Sequence, residues 1–343
     1  MPIKVMIIDD SAVVRKLLSD VLSSDEEIEV IASAANPLLA IRKLEEGALP
    51  DVLTLDVEMP EMDGITFLEQ VLPRYQIPVI MFSSLTEKGA EITIDAMRKG
   101  AFDFVAKPKT GLFTAMDYLK EELVPKIKAA YQMKGRKHFF TPGYYLSQIS
   151  ESSQSFSRIT SKVVFIGSST GGIQALESVI TKLPKDFPSV LIVQHMPPKF
   201  TKNFADRLNG ISKMRIKEAE NGEKIQKGWV YIAPGDFHME LKDKTTLYIH
   251  QNEKVNRHRP SVDPLFYSAA KFYGKEGVGV ILTGMGSDGA QGMKAMSDTG
   301  AFTIAQDEKT CVVFGMPKEA IKLGGVSKTL PIQKIADELI KAV

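Results

Sequence analysis

The sequence predicts an α/β protein made of two doubly wound parallel-sheet domains in tandem. Three observations predict it. Short apolar runs alternate with helical periodicity in both halves. Most of these runs stop at acidic, hydroxyl or glycine-rich turns, as strands do at the carboxyl edge of an open sheet. Between the halves, a stretch rich in Ser, Gln, Lys, Arg and Gly loses all periodicity. The expected division is a first domain over 1–124, a linker over 125–160 and a second domain over 161–343.

In the first domain the apolar runs at 3–8, 29–32, 52–55, 79–82 and 104–106 read as strands. Amphipathic patterns at 13–22, 38–44, 67–72, 90–99 and 114–123 read as the intervening helices. The linker carries an aromatic cluster, Phe139, Phe140, Tyr144 and Tyr145, which suggests that part of it packs against a domain. In the second domain, strands are expected at 163–166, 190–193, 229–233, 278–282 and 302–305, with a terminal helix at 332–342. Residues 215–250 read as a meander of shorter strands, an antiparallel insertion at the edge of the α/β core.

At 343 residues the chain is long enough for two cores. A net charge of +1 supplies no field for nucleic acid or an anionic membrane. The single Cys311 excludes an internal disulfide and a multi-cysteine zinc site. No apolar run approaches the ~20 residues that span a bilayer, and the start of the chain lacks a secretory pattern. The expectation is a cytoplasmic protein with no nucleic-acid partner and no direct membrane insertion.

Asp9 and Asp10 follow the first apolar run, and Asp56 follows the third. Strand ends gather at one sheet edge, so three carboxylates meet there. Their repulsion calls for a hard cation with oxygen ligands, Mg²⁺. Ser83 and Lys107 end two further strands at the same edge, a hydroxyl and an ammonium suited to a phosphoryl group on a carboxylate. With the stretch Asp56-Val-Glu-Met-Pro-Glu-Met-Asp-Gly64, residues 1–124 resemble the receiver domain of two-component response regulators. The resemblance implies a flavodoxin-like fold with Asp56 as phosphoacceptor. It implies Mg²⁺ on Asp9, Asp10, Asp56 and the Glu58 carbonyl, phosphoryl sensing by Ser83 and Lys107, and a switch aromatic at Phe104. A histidine kinase is the implied phosphodonor.

The second domain opens with an apolar run entering Gly167-Ser-Ser-Thr-Gly-Gly172, followed by a helical pattern. This matches G-x-S-x-G, a sharp turn that exposes a central serine at a helix N-terminus. Ser169 is the candidate nucleophile, with Ser168 beside it. His195 directly follows another strand and is the candidate base. Asp288 lies in the glycine-rich turn after a third and is the candidate orienting carboxylate. The chain order Ser, His, Asp differs from that of α/β-hydrolases. Arg257, His258 and Arg259 form a polar cluster, either a solvated charge run or a rim for an acidic substrate.

From about residue 161 to the end, the chain closely resembles the catalytic domain of chemotaxis protein-glutamate methylesterases. The resemblance rests on Ile166-Gly-Ser-Ser-Thr-Gly-Gly172, Gln194-His-Met-Pro197, Ala233-Pro-Gly235 with His238-Met239, Asn256-Arg-His-Arg-Pro-Ser-Val-Asp263, Leu282-Thr-Gly-Met-Gly286 and Asp288-Gly-Ala290. It implies a Rossmann-like esterase domain, phosphorylation-controlled, that needs no cofactor for hydrolysis. Methyl-accepting chemotaxis receptors are the implied substrate, with glutamine deamidation as a companion activity. The Met285 backbone N–H is the implied oxyanion donor. Members of the family often carry Ala at the position of Ser168.

Overall fold

In the computed structural model the chain divides into two compact units, Met1–Tyr144 and Tyr145–Val343. The structure describes residues 1–108, 112–135 and 160–343. The aromatic cluster at 139–145 lies outside the described residues.

The first unit runs β1 (Ile3–Ile8), α1 (Ala12–Ser23), β2 (Ile28–Ala34), α2 (Pro37–Glu45), β3 (Val52–Asp56), α3 (Gly64–Tyr75), β4 (Val79–Ser83), α4 (Glu87–Arg98), β5 (Asp103–Ala106) and α5 (Leu112–Gln132). All strands are parallel, in the order β2-β1-β3-β4-β5. Strands β3, β4 and β5 are buried along their whole length, as a sheet covered on both faces requires. Side-chain caps start four helices: Ser11 accepts from the Val14 N–H, Asn36 from Leu39, Asp63 from Thr66 and Thr86 from Gly89.

Helix α5 runs past residue 124, where the sequence reading begins the linker, and continues to Gln132. The reason is an apolar stripe at helical spacing. Leu119, Leu123, Ile127 and Ala130 are all buried.

The second unit runs β6 (Val163–Ser168), α6 (Gly172–Ile180), β7 (Val190–Gln194), α7 (Phe200–Ile211), β8 (Arg215–Glu218), β9 (Trp229–Ile232), β10 (His238–Leu241), β11 (Leu247–His250), α8 (Val262–Tyr273), β12 (Gly277–Ile281), α9 (Ala290–Asp298), β13 (Phe302–Gln306), α10 (Met316–Lys322), β14 (Lys328–Leu330) and α11 (Ile332–Ala342). Its main sheet has seven parallel strands, ordered β14-β13-β12-β6-β7-β9-β8. The three strands β12, β6 and β7 lie side by side at its centre.

The expected meander resolves into two different things. Strands β8 and β9 join the main sheet in parallel at its edge. Only β10 and β11 are antiparallel, and they form a separate two-stranded sheet, His238 opposite His250. Its turn is shaped by Asp243, whose carboxylate accepts from the Thr245 and Thr246 N–H groups. Met239, Leu241 and Leu247 tie the hairpin to the same core as Phe165, Phe266 and Ile281.

Candidate active site

Two polar constellations stand at strand ends, one in each unit. In the first, Asp56 ends β3, and Asp9 follows β1. The Lys107 ammonium lies 2.7 Å from Asp56 Oδ2 and 3.1 Å from Asp9 Oδ2. Burial pushes the Asp56 carboxyl up to about 6; Lys107 pulls it down and the neighbouring Asp9 charge adds to the rise. Asp9, Asp10 and Asp56 each offer an oxygen, all within 4.8 Å of one another. Asp9 Oδ2 is buried, with the Lys107 ammonium 3.1 Å away. Three hard carboxylate oxygens crowded against a single ammonium fit Mg²⁺.

Ser83 ends β4. Its buried hydroxyl lies 2.7 Å from Thr93 Oγ1 and 3.2 Å from the Gly89 carbonyl, both on α4. A buried hydroxyl takes the partners at hand, and α4 provides two. Phe104 is buried too, with the Lys126 ammonium 5.6 Å from its ring centre and hydrogen-bonded to its carbonyl at 2.7 Å.

In the second unit, Ser169 follows β6, His195 follows β7, and Asp288 lies in the turn after β12. The elbow is forced by local packing. Gly171 has φ of 78°, and a Cβ there would meet Val312 at 2.5 Å. A Cβ on Gly172 would fall 2.0 Å from Gln194 Oε1. The same Gln194 accepts from the Ser168 hydroxyl at 2.6 Å and donates to the Ser169 carbonyl at 3.0 Å. Ser168 is thus fully buried and committed to Gln194, while Ser169 is partly exposed. The loop after β12 docks on the elbow, its Thr283 carbonyl accepting from the Ser169 N–H at 3.0 Å. Two residues further along this loop, the Met285 N–H has no hydrogen-bond partner among the described residues.

His195 Nε2 lies 2.8 Å from Asp288 Oδ2, and both side chains are buried. His195 Nδ1 is buried and has no partner among the described residues. A carboxylate acceptor at Nε2 keeps the proton on that nitrogen and leaves the lone pair on Nδ1. Asp288 is unusually well supplied with donors. Ser261 Oγ donates to it at 2.7 Å, the Val262 N–H at 2.7 Å and Asn256 Nδ2 at 2.6 Å. Burial works to raise its pKa, but the His195 contact, the Ser261 hydroxyl and the Val262 N–H outweigh it and hold the carboxyl well below the usual range.

Asn256 was not singled out from the sequence. Its amide also donates to Asp263 Oδ2 at 2.7 Å, bridging two buried carboxylates. Asp263 in turn accepts from the Gly292 N–H in the first turn of α9. Burial, with the nearby Asp288 charge, raises the Asp263 pKa. His238 is a structural neighbour: its Nε2 is 3.0 Å from the Glu253 carbonyl, and its Nδ1 accepts from the Ser261 N–H.

The expected polar rim divides. Arg259 is a strut, its guanidinium on Asp236 at 2.7 Å and on the Gln251 and Asn252 carbonyls at 3.0 Å. Arg257 is exposed at a left-handed φ of 67°. His258 turns inward, its ring stacked on His195 with centroids 3.9 Å apart and planes 19° from parallel.

The family described as CheB methylesterase matches residues 164–339. The chain belongs to that family. A response regulator receiver domain matches residues 5–116. Protein-glutamate methylesterase/protein-glutamine glutaminase 3 of Geobacter metallireducens is 47% identical, covering 99% of this chain and 98% of its own. The protein-glutamate methylesterase/protein-glutamine glutaminase of Salmonella choleraesuis is 46% identical, covering 99% and 97%. Among solved structures, the CheB methylesterase catalytic domain of Thermotoga maritima is 46% identical, with a TM-score of 0.52 over 54% of this chain and all of its own.

Proposed function

We propose that this CheB family member is a phosphorylation-activated hydrolase. It removes methyl esters from glutamate side chains of methyl-accepting chemotaxis receptors and deamidates receptor glutamines on the same site. One observation carries the reading. Three adjacent strands are followed by a partly exposed serine, a histidine with a buried, unpartnered Nδ1, and a carboxylate bound to its Nε2, the residue types an acyl transfer needs.

Ser169 Oγ attacks the γ-carbonyl of the glutamate methyl ester while His195 Nδ1 takes its proton. Asp288 fixes the tautomer and stabilises the imidazolium. The unpartnered Met285 N–H is the donor for the developing oxyanion. The imidazolium then gives its proton to departing methanol, leaving a glutamyl ester on Ser169. Water, activated by the same Nδ1, cleaves that ester and frees the carboxylate. With a glutamine substrate the departing group is ammonia.

In the receiver, Asp56 accepts the phosphoryl group from a histidine kinase, and Lys107 neutralises charge on it. Asp9, Asp10, Asp56 and the Glu58 carbonyl would hold Mg²⁺, whose positive charge offsets that of the phosphoryl oxygens. Phosphorylation raises the esterase rate. The site lies in a chain without a membrane-crossing helix among its described residues, so the receptor brings the reaction to the membrane.

The test is methanol release from methylated receptor membranes. Ser169→Ala is expected to abolish release, and Ser168→Ala to keep it within a few-fold while costing about 1 kcal/mol of stability for one lost hydrogen bond. Loss in Ser168→Ala with survival in Ser169→Ala would move the nucleophile.

A further inference from the structure

His195 is held at one end. Its Nε2 hydrogen bond to Asp288 fixes a point of the ring, whereas its Nδ1 has no partner. A single hydrogen bond leaves an imidazole free to turn about the axis of that bond. Something else must set the plane of the ring before substrate arrives, because proton transfer depends on where Nδ1 points.

His258 covers one face of the ring, at 3.9 Å between centroids and 19° from parallel. The turn carrying it is pinned on both sides. Val255 and His258 exchange backbone hydrogen bonds of 2.9 and 3.2 Å. Before His258, Asn256 is anchored to Asp288 and Asp263. After it, Arg259 is locked to Asp236 and two carbonyls. Asn256 and Arg257 hold left-handed φ values of 52° and 67°, a conformation that costs non-glycine residues energy. The turn keeps that conformation because its anchors over-determine it. One short segment thereby grips the triad candidates twice, by an amide on the carboxylate and by a ring on the base.

We infer that His258 is a positioning residue for the reaction: its imidazole, stacked on His195, sets the plane of that ring and so aims Nδ1. This rests on the esterase reading above. It separates His258 from Arg257 and Arg259, with which it reads in sequence as either a solvated charge run or a substrate rim. A rim residue binds substrate and acts on KM. A residue that aims the base acts on kcat and leaves KM alone.

The experiment uses the full chain with a small phosphodonor and Mg²⁺. It compares wild type, His258→Ala and His258→Phe by methanol release from methylated receptor membranes. Thermal midpoints check that each variant is folded. His258→Ala is expected to lose roughly ten- to a hundred-fold in kcat with KM unchanged, the scale of a misaimed catalytic group. His258→Phe keeps a flat ring against His195 and is expected to recover most of the rate. Proton NMR of the His195 Nε2–H supplies a readout independent of turnover. The downfield resonance is expected in wild type and His258→Phe, and broadened in His258→Ala. A raised KM with unchanged kcat in His258→Ala would overturn the inference in favour of the rim. Equal loss in both variants would also overturn it, since the stacked ring would not be what matters. Absence of methanol release from wild type would instead sink the esterase reading, with the NMR comparison still reporting on the stack.

Discussion

At the scale of single residues, Asp56 and Asp288, both buried, show how environment separates groups of one chemistry. Asp288 is buried but receives donors from four residues besides His195, and its pKa falls. Asp56 is buried with one ammonium against it and another carboxylate beside it, and its pKa rises to about 6. A carboxyl raised in the folded state holds its proton more tightly there than in the unfolded chain. Its contribution to stability is therefore present below its ordinary value of 3.8 and lost as pH climbs toward about 6. Without Mg²⁺, Asp56→Asn should gain stability relative to wild type across that interval, by up to ~3 kcal/mol, and the difference should level off above it. Chemical denaturation at a series of pH values checks this. A pH-independent difference would mean that Asp56 titrates normally. Added Mg²⁺ should shrink the gain, because the cation favours the ionised form.

Among the elements, α5 tests how far a sequence pattern can be trusted. The expected division begins the linker at residue 125, yet Ile127 and Ala130 are fully buried on the same stripe as Leu119 and Leu123. A receiver fragment ending at 124 should be less stable than one ending at 135, by about 3 kcal/mol or more, from the loss of the Ile127 and Ala130 contacts. Urea midpoints of the two fragments decide it, and equal midpoints would show that the last turns of α5 add nothing. The sheet strands were legible because buried parallel strands are written as near-continuous apolar runs, such as those at 190–193 and 278–282. The pairing of β8 and β9 was not, because Arg215–Glu218 has one fully buried residue and an edge strand carries little apolar signal. The strand-end positions of Ser169, His195 and Asp288 could be read because each follows such a run. The roles of Asn256, Gln194 and Ser261 could not. Their partners lie about 26 to 32 positions away, and a single neutral amide or hydroxyl carries no pattern of its own. Ser83 shows a further limit, since its position at the strand end was readable but the direction of its hydroxyl depends on Thr93 of α4.

On the scale of the whole molecule, two doubly wound units each place their chemistry at strand ends, and the account ties one site to the other. The receiver site collects carboxylates and an ammonium around Asp56; the second site collects a hydroxyl, an imidazole and a carboxylate. Neither constellation makes sense of the pair alone. A phosphoacceptor needs an output, and an esterase acting on a signalling receptor needs a control. The most direct test is the initial rate of methanol release from methylated receptor membranes, with and without a small phosphodonor plus Mg²⁺. Wild type, Asp56→Asn and Ser169→Ala are compared. The account predicts a rate that rises with phosphodonor in wild type, stays at the basal level in Asp56→Asn, and is absent from Ser169→Ala under either condition. A rate that ignores the phosphodonor in wild type, or that persists in Ser169→Ala, would contradict it.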